Sequence, residues 1–383
     1  MAEADLGIEG NIRLRSPQWL NWIPMVLGAI IALSFMQWIC VAVLVKLEAA
    51  ALGTATEFVN TEANGASVQC MDASDSEKCV AGYQRAGKPP AVLWLGNSQL
   101  AAINRLKAGD RAAPGLLHEA LRARGIYQVT YAVPNANLLE HALQYSALAG
   151  QYDTRALILP VFLDDIREQG IREPVAGLLD DPGVRSRVEL TTIWPLISGS
   201  LHVNNALHSK SDATETRQKW AERMLNEKLG AWWPLWQQRA NMRGIVGIVV
   251  HELRNKILGI NAQTKRRVDP GVYREKMTLL TAILAETRAR NIKVLLYVPP
   301  FRLDIPHPYF DDDYGRLKRD LQALALQYGA RFANLESIVP GPEWGMVVNA
   351  ITGLGDYDFM HFTAEGHRRH ATAIDVELRA MGF

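Results

Sequence analysis

The stretch AVLWLGNSQL, Ala91 to Leu100, decides how the chain is read. Ala91 to Leu95 run without a polar break, and the turn Gly96-Asn97-Ser98 follows at once. A short uninterrupted apolar run closed by a turn is the pattern of a strand buried on both faces. Similar runs recur at Gln128 to Val133, Ala156 to Val161, Ile292 to Val298 and, more weakly, Arg331 to Leu335. Between them the period changes. Leu317, Leu321, Leu324 and Tyr328 recur every three or four positions, which makes one face of a helix. Leu138 to Gln151, Val272 to Arg290 and Thr363 to Met381 also read as helices. This alternation predicts an α/β fold, with a doubly wound, mostly parallel five-stranded sheet in a three-layer sandwich. Ligands of such sheets lie beyond the C-terminal strand ends, and Ser98 stands there after the first strand.

One interval breaks the alternation. The distance from Val161 to Ile292 far exceeds a usual βα connection and predicts a mostly helical insertion at about 168–270. It contains Trp194, Trp220, Trp232, Trp233 and Trp236. Two readings stand: a helical layer packed on the sheet, or a lid or acceptor-binding surface whose aromatic faces stack on sugar rings. Gly244 to Val250 is apolar but too short to cross a membrane.

Upstream, Trp22 to Val45 carries no ionisable group except the Cys40 thiol. A helix of about 20 apolar residues spans a bilayer core, and Trp22 and Trp38 lie towards the ends of the run as interfacial aromatics do. The expected organisation is a cytoplasmic segment 1–20, a transmembrane helix 21–46, an extracytoplasmic linker 47–88 and a catalytic domain 89–383. Arg13 and Arg15 precede the run while Lys46 alone follows closely, which favours a cytoplasmic N-terminus. That places the domain outside the inner membrane, in the periplasm or an equivalent space. Cleavage after the small residues Ala49 to Ala51 is the alternative, but the apolar run exceeds a usual signal-peptide core. In CMDASDSEKC, Cys70 and Cys79 either close a loop in an oxidising compartment or are unrelated thiols.

Composition narrows the partners. Across 383 residues, 41 Lys and Arg face 40 Asp and Glu. This balance lacks the basic excess of nucleic-acid binders.

Two short motifs carry chemistry. LWLGNSQL sets Ser98 on a tight turn, and DYDFMHFTAEGH sets Asp358 three residues before His361. A serine hydroxyl becomes a nucleophile when an imidazole takes its proton, and a carboxylate on the other ring nitrogen fixes the tautomer. The spacing lets one loop supply both base and orienter. His361, His367 and His370 with Asp358 also suggest a metal site, but a second acidic ligand or cysteine cluster is missing. No phosphate-cradling glycine loop is present either, so no cofactor is expected. Asp164, Asp165 and Glu168 read as helix-start residues that the dipole favours, or as substrate contacts on the same edge.

Gly96-Asn97-Ser98 and Asp358-Phe359-Met360-His361, followed by Gly366-His367, resemble the first and last blocks of the SGNH (GDSL-like) hydrolases. The resemblance covers roughly 89–383 apart from the insertion, and implies a Ser98, His361 and Asp358 triad. The middle blocks depart from the family. Pro134-Asn135-Ala136-Asn137 stands where it offers a glycine N–H to the oxyanion, and Phe162 to Glu168 where it offers an asparagine. Ser98 keeps its own N–H; the substrate or oxyanion candidates are Asn97, Asn135, Asn137, Asp165 and Arg167, and losing one oxyanion donor costs about 2.7–4 kcal/mol.

The layout, one anchor and one such domain, is similar to cell-envelope acylation proteins that work beside a multispanning acyltransferase of the MBOAT type. It implies O-acylation of a glycan acceptor, most simply acetylation, from an acyl donor. An esterase or deacetylase acting with water, and a non-catalytic glycan-binding scaffold, are the other readings.

Overall fold

The computed structural model describes residues 55–63, 65–208, 259, 261–348 and 355–383, with scattered positions between 24 and 38; for 202–208 and 348 it describes backbone only. The chain divides into two compact units, and residues 49–215 with 251–383 form the one described below. It opens with β1 (Thr56–Phe58), a short hairpin of β2 (Glu62–Ala63) and β3 (Ala66–Ser67), β4 (Gln69–Cys70) and α1 (Ser76–Arg85). Next come β5 (Ala91–Gly96), α2 (Ser98–Ala101), β6 (Ala102–Asn104), α3 (Ala113–Arg122), β7 (Tyr127–Ala132), α4 (Leu138–Leu148) and β8 (Thr154–Pro160). Helices α5 (Leu163–Arg167), α6 (Glu173–Ala176), α7 (Pro182–Glu189), α8 (Trp194–His208) and α9 (Pro270–Ala289) follow. The chain closes with β9 (Lys293–Val298), α10 (Asp311–Tyr328), β10 (Arg331–Asn334), β11 (Trp344–Val348), β12 (Gly355–Phe362) and α11 (Ala364–Ala380).

Six strands in the order β10-β9-β8-β5-β7-β4 form the main sheet, and every pairing is parallel. Successive side chains on a strand face opposite sides, so each strand feeds two cores. Leu93 and Leu95 join Val129, Leu157 and Leu296 beneath α4, α9 and α10. Val92 and Trp94 join Ile158, Leu295 and Tyr297 beneath α3 and α11. Each fully buried Leu or Ile stabilises by roughly 1.5–3 kcal/mol. From β5 the chain goes to β7 on one side and then to β8 on the other. That switch opens a crevice at the C-terminal end of β5, where Ser98 begins α2.

The sheet has one strand more than the five expected. The extra edge, β4, comes from the segment expected to be a linker, whose described part (55–63 and 65–88) is folded into this unit. A two-residue strand carries no apolar period, which is why the sequence pattern missed it. Cys70 and Cys79 form a disulfide between β4 and α1, which resolves the open choice at that pair. Residues around Asp358 and His361 are not a free loop but β12, antiparallel to β11 in a separate ribbon.

The expected membrane helix, 21–46, lies outside the described residues except at scattered helical positions, where Leu27, Ile31, Phe35 and Trp38 are exposed. Among the described residues no helix is long and apolar enough to cross a membrane. Within the insertion, 173–208 is largely helical; Trp220, Trp232, Trp233, Trp236 and Gly244 to Val250 lie outside the described residues.

Candidate active site

The serine is placed by the turn between β5 and α2. Asn97 caps α2, its Oδ1 accepting the Gln99 N–H at 3.0 Å. A Cβ on Gly96 would lie 2.3 Å from the Leu100 side chain, which is itself locked in the second core. Only glycine therefore lets the helix fold back so tightly on its strand. Gln99 carries the turn outward: its Nε2 donates to Pro300 O at 3.0 Å, in the loop after β9.

The ribbon supplies the partners. Between Trp344 opposite Phe362 and Met346 opposite Tyr357 the register shifts, because β12 carries extra residues there. The resulting bulge contains Asp358 to His361. It folds on its own aspartate: Asp358 Oδ1 accepts the N–H groups of Met360 (2.8 Å) and His361 (2.9 Å). Asp358 Oδ2 accepts the His361 Nδ1–H at 2.9 Å, so Nε2 is the bare nitrogen. His361 Nε2 lies 3.0 Å from Ser98 Oγ and accepts its hydroxyl proton. Burial pushes the Asp358 carboxyl up, but bonds from the His361 ring and the two backbone N–H groups outweigh it and hold it below its ordinary value. All three side chains are buried.

The remaining candidates separate by their partners. Asn137 is occupied at the start of α4: its Oδ1 accepts from Leu139 N and Glu140 N, and its Nδ2 donates to Gly170 O at 3.0 Å. Asp165 caps α5 by accepting Phe162 N–H at 3.1 Å, and burial raises its carboxyl well above the usual range. Arg167 pairs with Asp164 at 2.6 Å, which also receives the Tyr309 hydroxyl and Arg266. These three are committed to local structure rather than presented to Ser98. Asn97 and Asn135 remain. The Asn97 amide nitrogen has no acceptor among the described residues. Asn135 is exposed at the end of β7, the neighbour of β5, with φ +55°. Asparagine tolerates that left-handed conformation better than other non-glycine residues.

His367 is structural: its Nδ1 accepts Ala113 N–H and its Nε2 donates to Ala102 O, each at 3.1 Å, and burial lowers it to about 4. Among the described residues no group of three or more His, Cys, Asp or Glu is arranged to hold a metal ion. Gln99 was not singled out by sequence, nor was Arg302, whose contacts are described below. Gln99 reaches Pro300, 201 positions on, and Arg302 reaches Gly345, 43 positions on, so no local pattern marks these contacts.

Fold and site together define an α/β protein that lines up a serine hydroxyl, an imidazole and a carboxylate beyond the C-terminal end of a parallel strand. The sequence matches no protein-family profile and no curated protein. Among solved structures it is similar to a mutant of an acetylxylan esterase from Geobacillus stearothermophilus, at 11% identity and TM-score 0.35 over 76% of this chain and 94% of that one. It is also similar to the aryl esterase of M. smegmatis, at 12% identity and TM-score 0.36 over 76% of this chain and 99% of that one. At that degree of overlap neither likeness bears on the chemistry, which rests on the residues themselves.

Proposed function

We propose that this chain performs acyl-ester chemistry through an acyl-Ser98 intermediate. The observation that carries the reading is the continuous line Ser98 Oγ, His361 Nε2, His361 Nδ1, Asp358 Oδ2, at 3.0 and 2.9 Å. Ser98 Oγ attacks the acyl carbon while its proton passes to His361 Nε2. Collapse of the tetrahedral intermediate breaks the bond to the leaving alkoxide, which takes that proton from the imidazolium. In the second half His361 deprotonates an incoming hydroxyl, which takes the acyl group and returns Ser98 to its free form. The Ser98 N–H, at the first position of α2 with no intrahelical acceptor, is one oxyanion donor; Asn135 or the Asn97 amide supplies the second.

The finer reading is transfer to a glycan hydroxyl, most simply of acetyl, by a domain held outside the inner membrane by the helix 21–46. The apolar run there and the disulfide between Cys70 and Cys79 both support an oxidising, extracytoplasmic setting. A multispanning acyltransferase of the MBOAT type is the partner that would deliver the acyl group. The test is incubation of the full chain with an acyl ester, with and without a polysaccharide acceptor. Acceptor-dependent acylation is expected; free acid alone makes the enzyme a hydrolase, and Ser98→Ala with undiminished turnover overturns the acyl-serine.

A further inference from the structure

We infer that Arg302 is a positioning residue that holds the Asp358–His361 bulge at hydrogen-bonding distance from Ser98. The inference rests on the acyl-serine reading above for its consequence, not for its geometry. Ser98 starts α2 at the C-terminal end of β5 in the main sheet, whereas His361 belongs to the ribbon β11–β12, which shares no strand pairing with that sheet. Something other than a β-ladder must set the distance between them. The loop Pro299 to Asp304, leaving β9, touches both sides. On the serine side, Pro300 O receives the Gln99 side chain.

On the histidine side the contacts converge on Arg302. Its Nη1 donates to Gly345 O in β11 at 2.8 Å. Its guanidinium carbon lies 4.8 Å from the centre of the Tyr357 ring, one residue before Asp358. Next to it, Phe301 stacks on Phe359 inside the bulge, with ring centres 5.5 Å apart. Arg302 is buried, and Asp304 holds Nε at 2.9 Å and Nη2 at 3.2 Å, which balances the charge and fixes the plane of the fork. Gly345 is pressed from the other side, because a Cβ there would lie 2.3 Å from the Asn104 side chain. The ribbon is thus clamped between Asn104 and Arg302 at one residue. Lysine keeps the charge but has no rigid fork with which to serve Asp304, Gly345 and the Tyr357 face together.

The test compares Ser98 labelling by a serine-directed phosphonate in the full chain, alongside the downfield NMR resonance of the His361 Nδ1 proton. For folded Arg302→Lys, labelling is expected to slow about 10–100-fold, the scale of a misplacement of about 1 Å, with the resonance shifted or lost. Arg302→Ala is expected to regain part of the rate when guanidinium ion is added. Arg331→Gln, which removes a surface partner of Glu377, serves as the unaffected control. If Arg302→Ala does not fold, Asp304→Asn, which frees the fork, tests the same point and is expected to slow labelling several-fold. Labelling at the wild-type rate in Arg302→Lys, or slowing with an unchanged resonance, overturns the inference. Absence of labelling in the wild type overturns the acyl-serine reading instead, and the resonance still decides the positioning role.

Discussion

His361 Nε2 stands 3.0 Å from Ser98 Oγ although 263 positions separate the two residues in the chain. Their meeting depends on two tight local structures, the Gly96 turn and the β12 bulge, and on the packing that brings the two together. Each part is open to a different measurement.

Removing the proposed nucleophile or the proposed base should all but abolish turnover. Ser98→Ala and His361→Ala are expected to lower kcat by at least about 10³-fold, and Asp358→Asn by roughly 10³–10⁴-fold because the amide favours the wrong tautomer. The check is ester turnover by purified variants whose far-UV spectra match the wild type. Asp358→Asn with near-normal kcat would show that the carboxylate does not orient the ring.

Asn135 allows the oxyanion donor to be located. Its φ of +55° costs glycine nothing, so Asn135→Gly keeps the turn and the backbone N–H but deletes the amide. If the backbone donates, Asn135→Gly retains activity while Asn135→Val, strained at that φ, loses it. If the side chain donates, Asn135→Gly already loses about 10²-fold in kcat. Unchanged kcat in both variants removes Asn135 from the oxyanion site.

Two buried histidines predict acid sensitivity. Burial lowers His367 to about 4 and His370 to about 3 from an ordinary 6.5. Between the ordinary and the lowered value the unfolded chain binds more protons than the folded one. Stability is therefore whole above about pH 6.5 and falls as pH drops towards 4, by about 1.4 kcal/mol per pH unit for each histidine. His370 packs against Trp94, Tyr297 and Phe362, with no hydrogen-bond partner on either ring nitrogen among the described residues. His370→Phe should remove its share of that slope. Urea midpoints at pH 7 and pH 5 give the comparison, and an unchanged slope would count against this assignment.

The disulfide should matter for the sheet edge more than for the site. Cys70 and Cys79 are 9 positions apart, and closing so short a loop stabilises by roughly 2–3 kcal/mol. Cys79→Ser is expected to lower the Tm and raise amide exchange in β4 and α1, while phosphonate labelling of Ser98 keeps its rate. Faster exchange at Ser98 itself would show that the edge and the site are coupled.

How much of this was legible beforehand follows the range of the interactions. Apolar runs such as Ala91 to Leu95 revealed the parallel sheet because a strand buried on both faces leaves its mark in consecutive residues. Asp358 and His361 were readable as a pair for the same reason, since the aspartate bonds the backbone and ring only three residues on. Edge strand β4 was not readable, because two residues carry no period and its partner β7 lies some sixty positions away. Nor could sequence rank the candidate asparagines. Asn137 and Asn135 differ by two positions, yet one is spent on a helix cap and a Gly170 carbonyl while the other is exposed beyond the C-terminal end of β7.

Sequence by itself determined the alternating α/β pattern, the turn that carries Ser98 and the aspartate-histidine spacing, all of them set by neighbours within a few residues. Tertiary structure alone decided that Ser98 and His361 meet, which asparagines stay available, and that Gln99 and Arg302 tie the two halves together. Those contacts join residues from 33 to 263 positions apart, and their energies depend on burial and geometry that exist only once both cores have formed.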